Sequence, residues 1–192
     1  WQPNEPATLA WVEALDEGNP RKPAEMRDKV MTLKAPFNGT ATEIARTPSR
    51  FAGLMWTERG DAFITDVDFS KRWRRTWAFT PGTPIAQWRS LWDLSMQDAY
   101  RNPGNPVFRP DGSNKVLQRG DYIYLSGQGA SAVGDRPFLD RLNVRTLKTE
   151  RLWQSSDKDY ESFVALVDDE ATRIITLRES LTEPPNYYLR NL

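Results

Sequence analysis

The chain has 192 residues, its 26 lysines and arginines match 26 aspartates and glutamates, and it contains neither histidine nor cysteine. Balanced charge gives no global field to draw it to nucleic acid or anionic lipid, and no apolar run approaches the roughly 20 residues that span a bilayer. Without histidine, no Ser-His-Asp, Cys-His or histidine-zinc site can be assembled. Without cysteine there is no disulfide or thiolate chemistry, so neither a metal nor a cofactor is expected. Carboxylates are plentiful, and pairs of them hydrolyse glycosides, but most stand in turns, where solvated strand ends explain them.

In chain order, the segments that alternate apolar and polar residues predict strands. They are "LAWVEAL" (9–15), "KVMTLKA" (29–35), "TATEIAR" (40–46), "FAGLMWT" (51–57) and "DAFITDVDF" (61–69). Next come "RRTWAFT" (74–80), "AQWRSLW" (86–92), "DYIYLSG" (121–127), "LDRLNVR" (139–145) and "TERLWQS" (149–155). The last are "SFVALVD" (162–168), "TRIITLRES" (172–180) and "YYLRNL" (187–192). Turn residues such as "FNG", "ERGD", "PGTP" and "DDEA" separate them. Only "LWDLSMQDAY" (91–100) reads as a helical turn or two. The class is all-β.

A repeat underlies these strands. Taking Leu33, Phe79, Val144 and Leu192 as equivalent third-strand positions gives gaps of 46, 65 and 48 residues. The long gap holds a stretch rich in proline, glycine and asparagine at 98–118, and without its 21 residues it shrinks to 44. A four-strand unit recurring every ~40–50 residues is the signature of a β-propeller. The predicted blades cover 7–47, 48–97, 115–157 and 158–192, with 98–118 inserted between the second and third. The first blade lacks its innermost strand and the last its outermost, so about three and a half blades of a larger seven- or eight-bladed ring are expected. A β-sandwich with irregular hairpins is the alternative.

Strands within a blade alternate in direction, so the turns between strands one and two and between three and four leave on one face. The loops between strands two and three, and the blade-to-blade connections, leave on the other. The first set is short. The second comprises 16–28, 69–74, 128–137 and 181–186, joined by the 98–118 insertion, and these five segments are expected to share one face. Long loops on a rigid scaffold are where binding is built.

Particular phrases resemble a known family. "YIYLSGQGASAVGDRPFLDRLNVRTLKTERLWQSS" (122–156) and "LRESLTEPPNYYLRNL" (177–192) are similar to the propeller of the prolyl oligopeptidase (S9) family of serine peptidases, in its glutamyl endopeptidase-like branch. That resemblance implies a partner, a C-terminal α/β-hydrolase domain carrying serine, aspartate and histidine, with the propeller covering the active site and gating or positioning peptide substrate. It also implies an exported or, in plants, plastidic protein. The nucleophile of that family sits on a G-x-S-x-G elbow, whereas "SGQGAS" (126–131) is G-x-G-x-S in a hairpin loop. No catalytic residue is carried over to this chain. A stand-alone propeller of the TolB-like or WD-repeat kind, acting as a binding scaffold, is the alternative function.

Eight tryptophans raise a sugar-binding surface as a third reading, but Trp11, Trp56, Trp77, Trp88, Trp92 and Trp153 all fall in predicted strands, where the core claims them. Trp73 stands apart, flanked by Lys71, Arg72, Arg74 and Arg75 beside a loop. Arg72, Trp73, Arg74 and Arg136 are therefore the candidate residues for contacting substrate or a neighbouring domain. An open set of blades is also expected to pair its edges with the rest of a longer protein or with a second copy.

Overall fold

The computed structural model describes residues 1–168 and 170–192; Asp169, within the expected turn at 168–171, lies outside the described residues. Among the described residues there is no α-helix, and consecutive strands build antiparallel up-and-down sheets in two compact units. Successive sheets of this kind are blades of a β-propeller, about three and a half of them.

The first unit spans residues 1–97 with 113–115. Its first sheet has the order β1 (Thr8–Ala14), β2 (Asp28–Lys34), β3 (Thr42–Thr47). Its second begins β4 (Arg50–Thr57), β5 (Ala62–Asp68), β6 (Trp73–Phe79), β7 (Arg89–Ser95). Strand β5 is buried along nearly its whole length. That is why "AFITDV" reads as an almost unbroken apolar run rather than an alternating one. The polar exception is Thr65, whose hydroxyl lies 2.9 Å from that of its cross-strand partner Thr76.

Val30, Ile44, Ala45, Trp56, Ala62, Ile64 and Phe79 form one core joining the two sheets. Each such side chain contributes roughly 1.5–3 kcal/mol by leaving water if it is large. Ile44 and Ala45 are neighbours yet both are buried. The ladder slips between Val30 and Met31, which leaves Ile44 as an extra residue on β3 and turns both side chains inward.

The second unit spans 98–112 and 116–192. One sheet runs β10 (Gln118–Arg119), β11 (Tyr122–Gly127), β14 (Phe138–Asn143), β15 (Thr149–Gln154). Two-residue strands β12 (Ala130–Ser131) and β13 (Gly134–Asp135) form a small hairpin between β11 and β14. The last sheet is β16 (Tyr160–Leu166), β17 (Arg173–Glu179), β18 (Asn186–Asn191). Leu117, Tyr124, Leu139, Leu166, Ala171 and Ile174 make the shared core of these two sheets.

The expected 98–118 connection proves to be something else. Strand β8 (Asn105–Pro106) already pairs with Leu125 and Ser126 of β11, while β10 pairs with Tyr122 and Ile123 farther along the same edge. Between them the Val107 amide donates to the Tyr124 carbonyl, and the Leu117 amide donates to the Val107 carbonyl, each at 2.9 Å. Residues 105–107 and 117–119 are thus one interrupted edge strand. The loop budding from its middle is 108–116, with Phe108 bridged to Val116 of β9 (Lys115–Val116). Composition betrays a loop here, but not that three residues before it already obey the ladder.

Two local expectations are corrected. No helical turn forms at 91–100, because β7 runs on to Ser95. The short 3-10 turn lies instead at Ile85–Gln87, inside the expected strand 86–92. Pro84 starts that turn, and the Trp88 indole donates to the Thr83 carbonyl at 2.9 Å while packing 4.7 Å from the Phe79 ring. The tryptophan is satisfied by its own turn, so pairing begins only at Arg89.

Candidate functional site

Each unit gathers loops at one end. In the first, the β1–β2 loop, the Thr47–Arg50 connection and the turn after β5 surround a hollow of about 290 Å³. Beneath it stand carboxylates that strand geometry forces inward. Asp16 and Asp66 have fully buried side chains, and Asp28 is nearly so. A buried charge persists only when paired and hydrogen-bonded. Arg50 Nη2 donates to Asp16 at 2.6 Å and its Nη1 to Asp28 at 2.5 Å. Arg27 Nη1 donates to the same Asp16 oxygen at 2.8 Å. The second Asp28 oxygen accepts from the Phe51 amide at 2.6 Å. Asp66 receives Arg75 through two bonds, of 3.1 and 2.9 Å, and the Ser49 amide at 2.8 Å.

The electrostatics divide these acids. Hydrogen bonding from Arg27, with Arg50 behind it, overcomes burial and holds the Asp16 carboxyl down to about 2. For Asp66 burial dominates and pushes its pKa above the ordinary value despite Arg75. At the rim, Asp68 is lowered chiefly by the Ser70 hydroxyl, and Lys71 pairs with it at 3.4 Å.

The nominated residues do not form one patch. Arg72 lies on the turn after β5, exposed, with φ of 53°. Trp73 opens β6, and its indole nitrogen donates to Asp93. Arg75, on Trp73's side of the strand, is consumed by Asp66. Arg74 falls between them in the alternation, and its buried Nε has no partner among the described residues. Arg136 belongs to the second unit and holds the Ser155 carbonyl through Nε and Nη2 at 3.2 and 3.0 Å. Its geometry is that of a clamp on the 128–137 loop.

In the second unit, Asn102, Gly104, Gln128 and Pro137 line a hollow of about 200 Å³. The Tyr160 hydroxyl donates to Gln128 at 2.8 Å, so the start of β16 also reaches this end. Two glycines permit the crowding: a Cβ at Gly104 would sit 2.4 Å from the Ser126 carbonyl oxygen, and one at Gly129 2.1 Å from that of Arg136. Within this unit the start of the interrupted strand and the 128–137 loop therefore lie at one end. Ser131, the serine of "SGQGAS", spends its hydroxyl on the Gly134 carbonyl at 2.6 Å.

Sequence reasoning did not find Asp16, Asp28 or Arg50. Their positions are 34 and 22 residues apart, and no local pattern links them. The available signal was Arg50 at the start of a strand that follows a proline turn, next to two aspartates at the ends of earlier strands.

No established family profile matches the chain. Among curated proteins it is similar to a probable chloroplastic glutamyl endopeptidase of Oryza sativa subsp. japonica, 36% identical over 99% of this chain and 22% of that protein. It is also similar to the protein of the same name in Arabidopsis thaliana, at 32% identity over 99% of this chain and 22% of that one. The chain therefore spans about a fifth of the length of these relatives. Among solved structures it resembles the β-propeller domain of the Trilobed protease from Pyrococcus furiosus, at 12% identity and a TM-score of 0.46, covering 96% of this chain and 52% of that one. Oligopeptidase B from Leishmania major matches at 10% identity and a TM-score of 0.47, over 94% of this chain and 25% of that one. Homologous along almost all of its length to a stretch of the glutamyl endopeptidases, the chain is a β-propeller segment of the glutamyl endopeptidase-like branch of the prolyl oligopeptidase family.

Proposed function

We propose that this chain is the non-catalytic propeller portion of a serine peptidase, covering the active site of an α/β-hydrolase domain and admitting or positioning peptide substrate. The observation that carries the reading is its match over 99% of its residues to 22% of proteins named glutamyl endopeptidase. Serine peptidase chemistry needs a base to activate the nucleophile, and a chain with no histidine leaves that base to the partner domain. A rigid set of sheets with its long loops gathered at strand ends suits the role of a selective cover. Arg72, Trp73, Arg74 and Arg136 are the residues through which contact with substrate or the hydrolase domain is tested first.

The test compares two substrates in the full-length peptidase. Substituting Arg72 by alanine, or trimming 128–137, is expected to change the kcat/KM ratio of a long peptide to a short chromogenic ester by about 10-fold or more. An unchanged ratio rejects the gating role. The 192-residue chain alone is expected to leave a fluorophosphonate probe unreacted, and stoichiometric labelling would reject the non-catalytic assignment. Open sheet edges also favour association, through the hydrolase-bearing remainder or a second copy; sedimentation at rising concentration tests this, and a strictly monomeric chain rejects self-pairing.

A further inference from the structure

We propose that the hollow at the loop end of the first unit is a binding groove for a peptide carboxylate, read by Arg27 and Arg50. This deepens the peptidase reading by naming a substrate class, and its biological purpose rests on that reading, although the binding itself does not.

The argument begins with unspent donors. A guanidinium carries five N–H groups in a planar fork. Arg50 spends one proton of Nη1 on Asp28 and one of Nη2 on Asp16, while Arg27 spends Nη1 on Asp16 and the Lys22 carbonyl. Among the described residues, no protein acceptor takes the Nε proton of either arginine or the Nη2 protons of Arg27. Both side chains line the hollow and stay about a quarter exposed, whereas Asp16 beneath them is fully buried. The carboxylates thus lie behind the guanidiniums and hold them in place. A ligand in the hollow meets donors first.

Charge decides which anion fits. Arg27, Arg50, Asp16 and Asp28 sum to zero, and Asp68 stands at the rim with its oxygens engaged by Ser70 and Lys71. Such a site favours a monoanion that forms one or two charge-assisted hydrogen bonds, and it repels a dianion such as phosphate. The walls choose the rest of the ligand. Pro20, Pro48 and Val67 present apolar surface, and the Phe69 side chain is 69% exposed beside them. An extended chain with an acidic group fits this surface better than a small inorganic ion. The carboxylate comes either from a Glu or Asp side chain or from a peptide C-terminus.

The experiment follows the arginine Nε–H resonances of the 15N-labelled 192-residue chain during titration. Four probes are used: a short acetylated peptide amide containing glutamate, its glutamine counterpart, that glutamine peptide with a free C-terminus, and inorganic phosphate. Saturable shifts of Arg27 and Arg50 with the glutamate peptide, at least about 10-fold weaker with the glutamine amide, establish side-chain carboxylate recognition. The same shifts with the free C-terminus alone establish the terminus as the source. Equal response to the neutral amide, equal or tighter response to phosphate, or no response overturns the proposal. Ala24→Asp, which places a competing carboxylate in the groove, is expected to abolish the shifts with the remaining spectrum unchanged. If that variant fails to fold, Ser70→Asp provides the same competition, and retained binding in a folded variant overturns the assignment. Where binding holds but the full-length peptidase cleaves acidic and neutral peptides equally, the groove stands and its substrate-positioning role falls.

Discussion

The two units bury acids in opposite styles. In the first, Asp16 and Asp28 share Arg50, and Asp16 takes Arg27 as well, so one guanidinium ties the ends of β1, β2 and β4 together. In the second, each acid has its own arginine. Asp140 pairs with Arg151 directly across the β14–β15 ladder, and Glu161 pairs with Arg190 at 2.8 Å two strands away, with the Thr176 hydroxyl between them. A shared network concentrates its energy in one residue, whereas separate pairs spread it. The difference teaches that similar sheets are fastened differently, and that fastening at a loop end leaves a surface of arginine donors.

The largest test of this contrast is Arg50→Ala, which strands two buried carboxylates and is expected to cost about 3–5 kcal/mol in urea denaturation. Glycine crowding ranks next. Gly129→Ala drives a Cβ into the Arg136 carbonyl at a residue with φ of 63° and is expected to cost about 2–3 kcal/mol. Arg190→Ala should cost less than Arg50→Ala, about 1–3 kcal/mol, since Glu161 keeps the Thr176 hydroxyl. Equal losses at Arg50 and Arg190 would erase the distinction between shared and separate pairing. Smallest is the exposed Arg141–Glu150 pair at 2.7 Å, where Arg141→Ala is expected to change stability by less than about 1 kcal/mol.

Acid sharpens the comparison within the first unit. Asp16 has a depressed pKa, so its stabilisation is full above the ordinary carboxylate range and is lost as pH falls through about 2. Asp66 has a raised pKa, so its contribution has the opposite sign: present below the ordinary value and lost as pH rises through the folded one. Carboxyl 13C titration should show Asp66 protonating well before Asp16 as acid is added. Coincident titration would refute the assigned causes.

What the sequence revealed and what it hid follow one physical rule. Strand positions were legible wherever one face is buried, because a two-residue period survives in the letters: "TRIITLRES" against β17 (Arg173–Glu179) is a case. The four third-strand positions Leu33, Phe79, Val144 and Leu192 were also legible, since they fall in or one residue past β2, β6, β14 and β18. Hidden were features set by distant partners. Nothing near Arg50 in sequence announces Asp16, and nothing in "KRWRR" says that Arg75 is spent on Asp66 while Arg72 stays on the turn. The clamp formed by Arg136 was equally invisible, because its acceptor is a backbone carbonyl 19 residues away.

The interrupted edge strand has a practical consequence. Its loop leaves after Val107 and returns at Leu117, and the hydrogen bond between those two residues closes the neck before the ladder resumes. Length added beyond that neck does not shift the pairing of residues 118 and 119 with β11. The tip around Asp111 and Gly112 is thus a port for a fluorophore, an epitope or a conjugation handle, through which the protein can be tracked with its strand register intact.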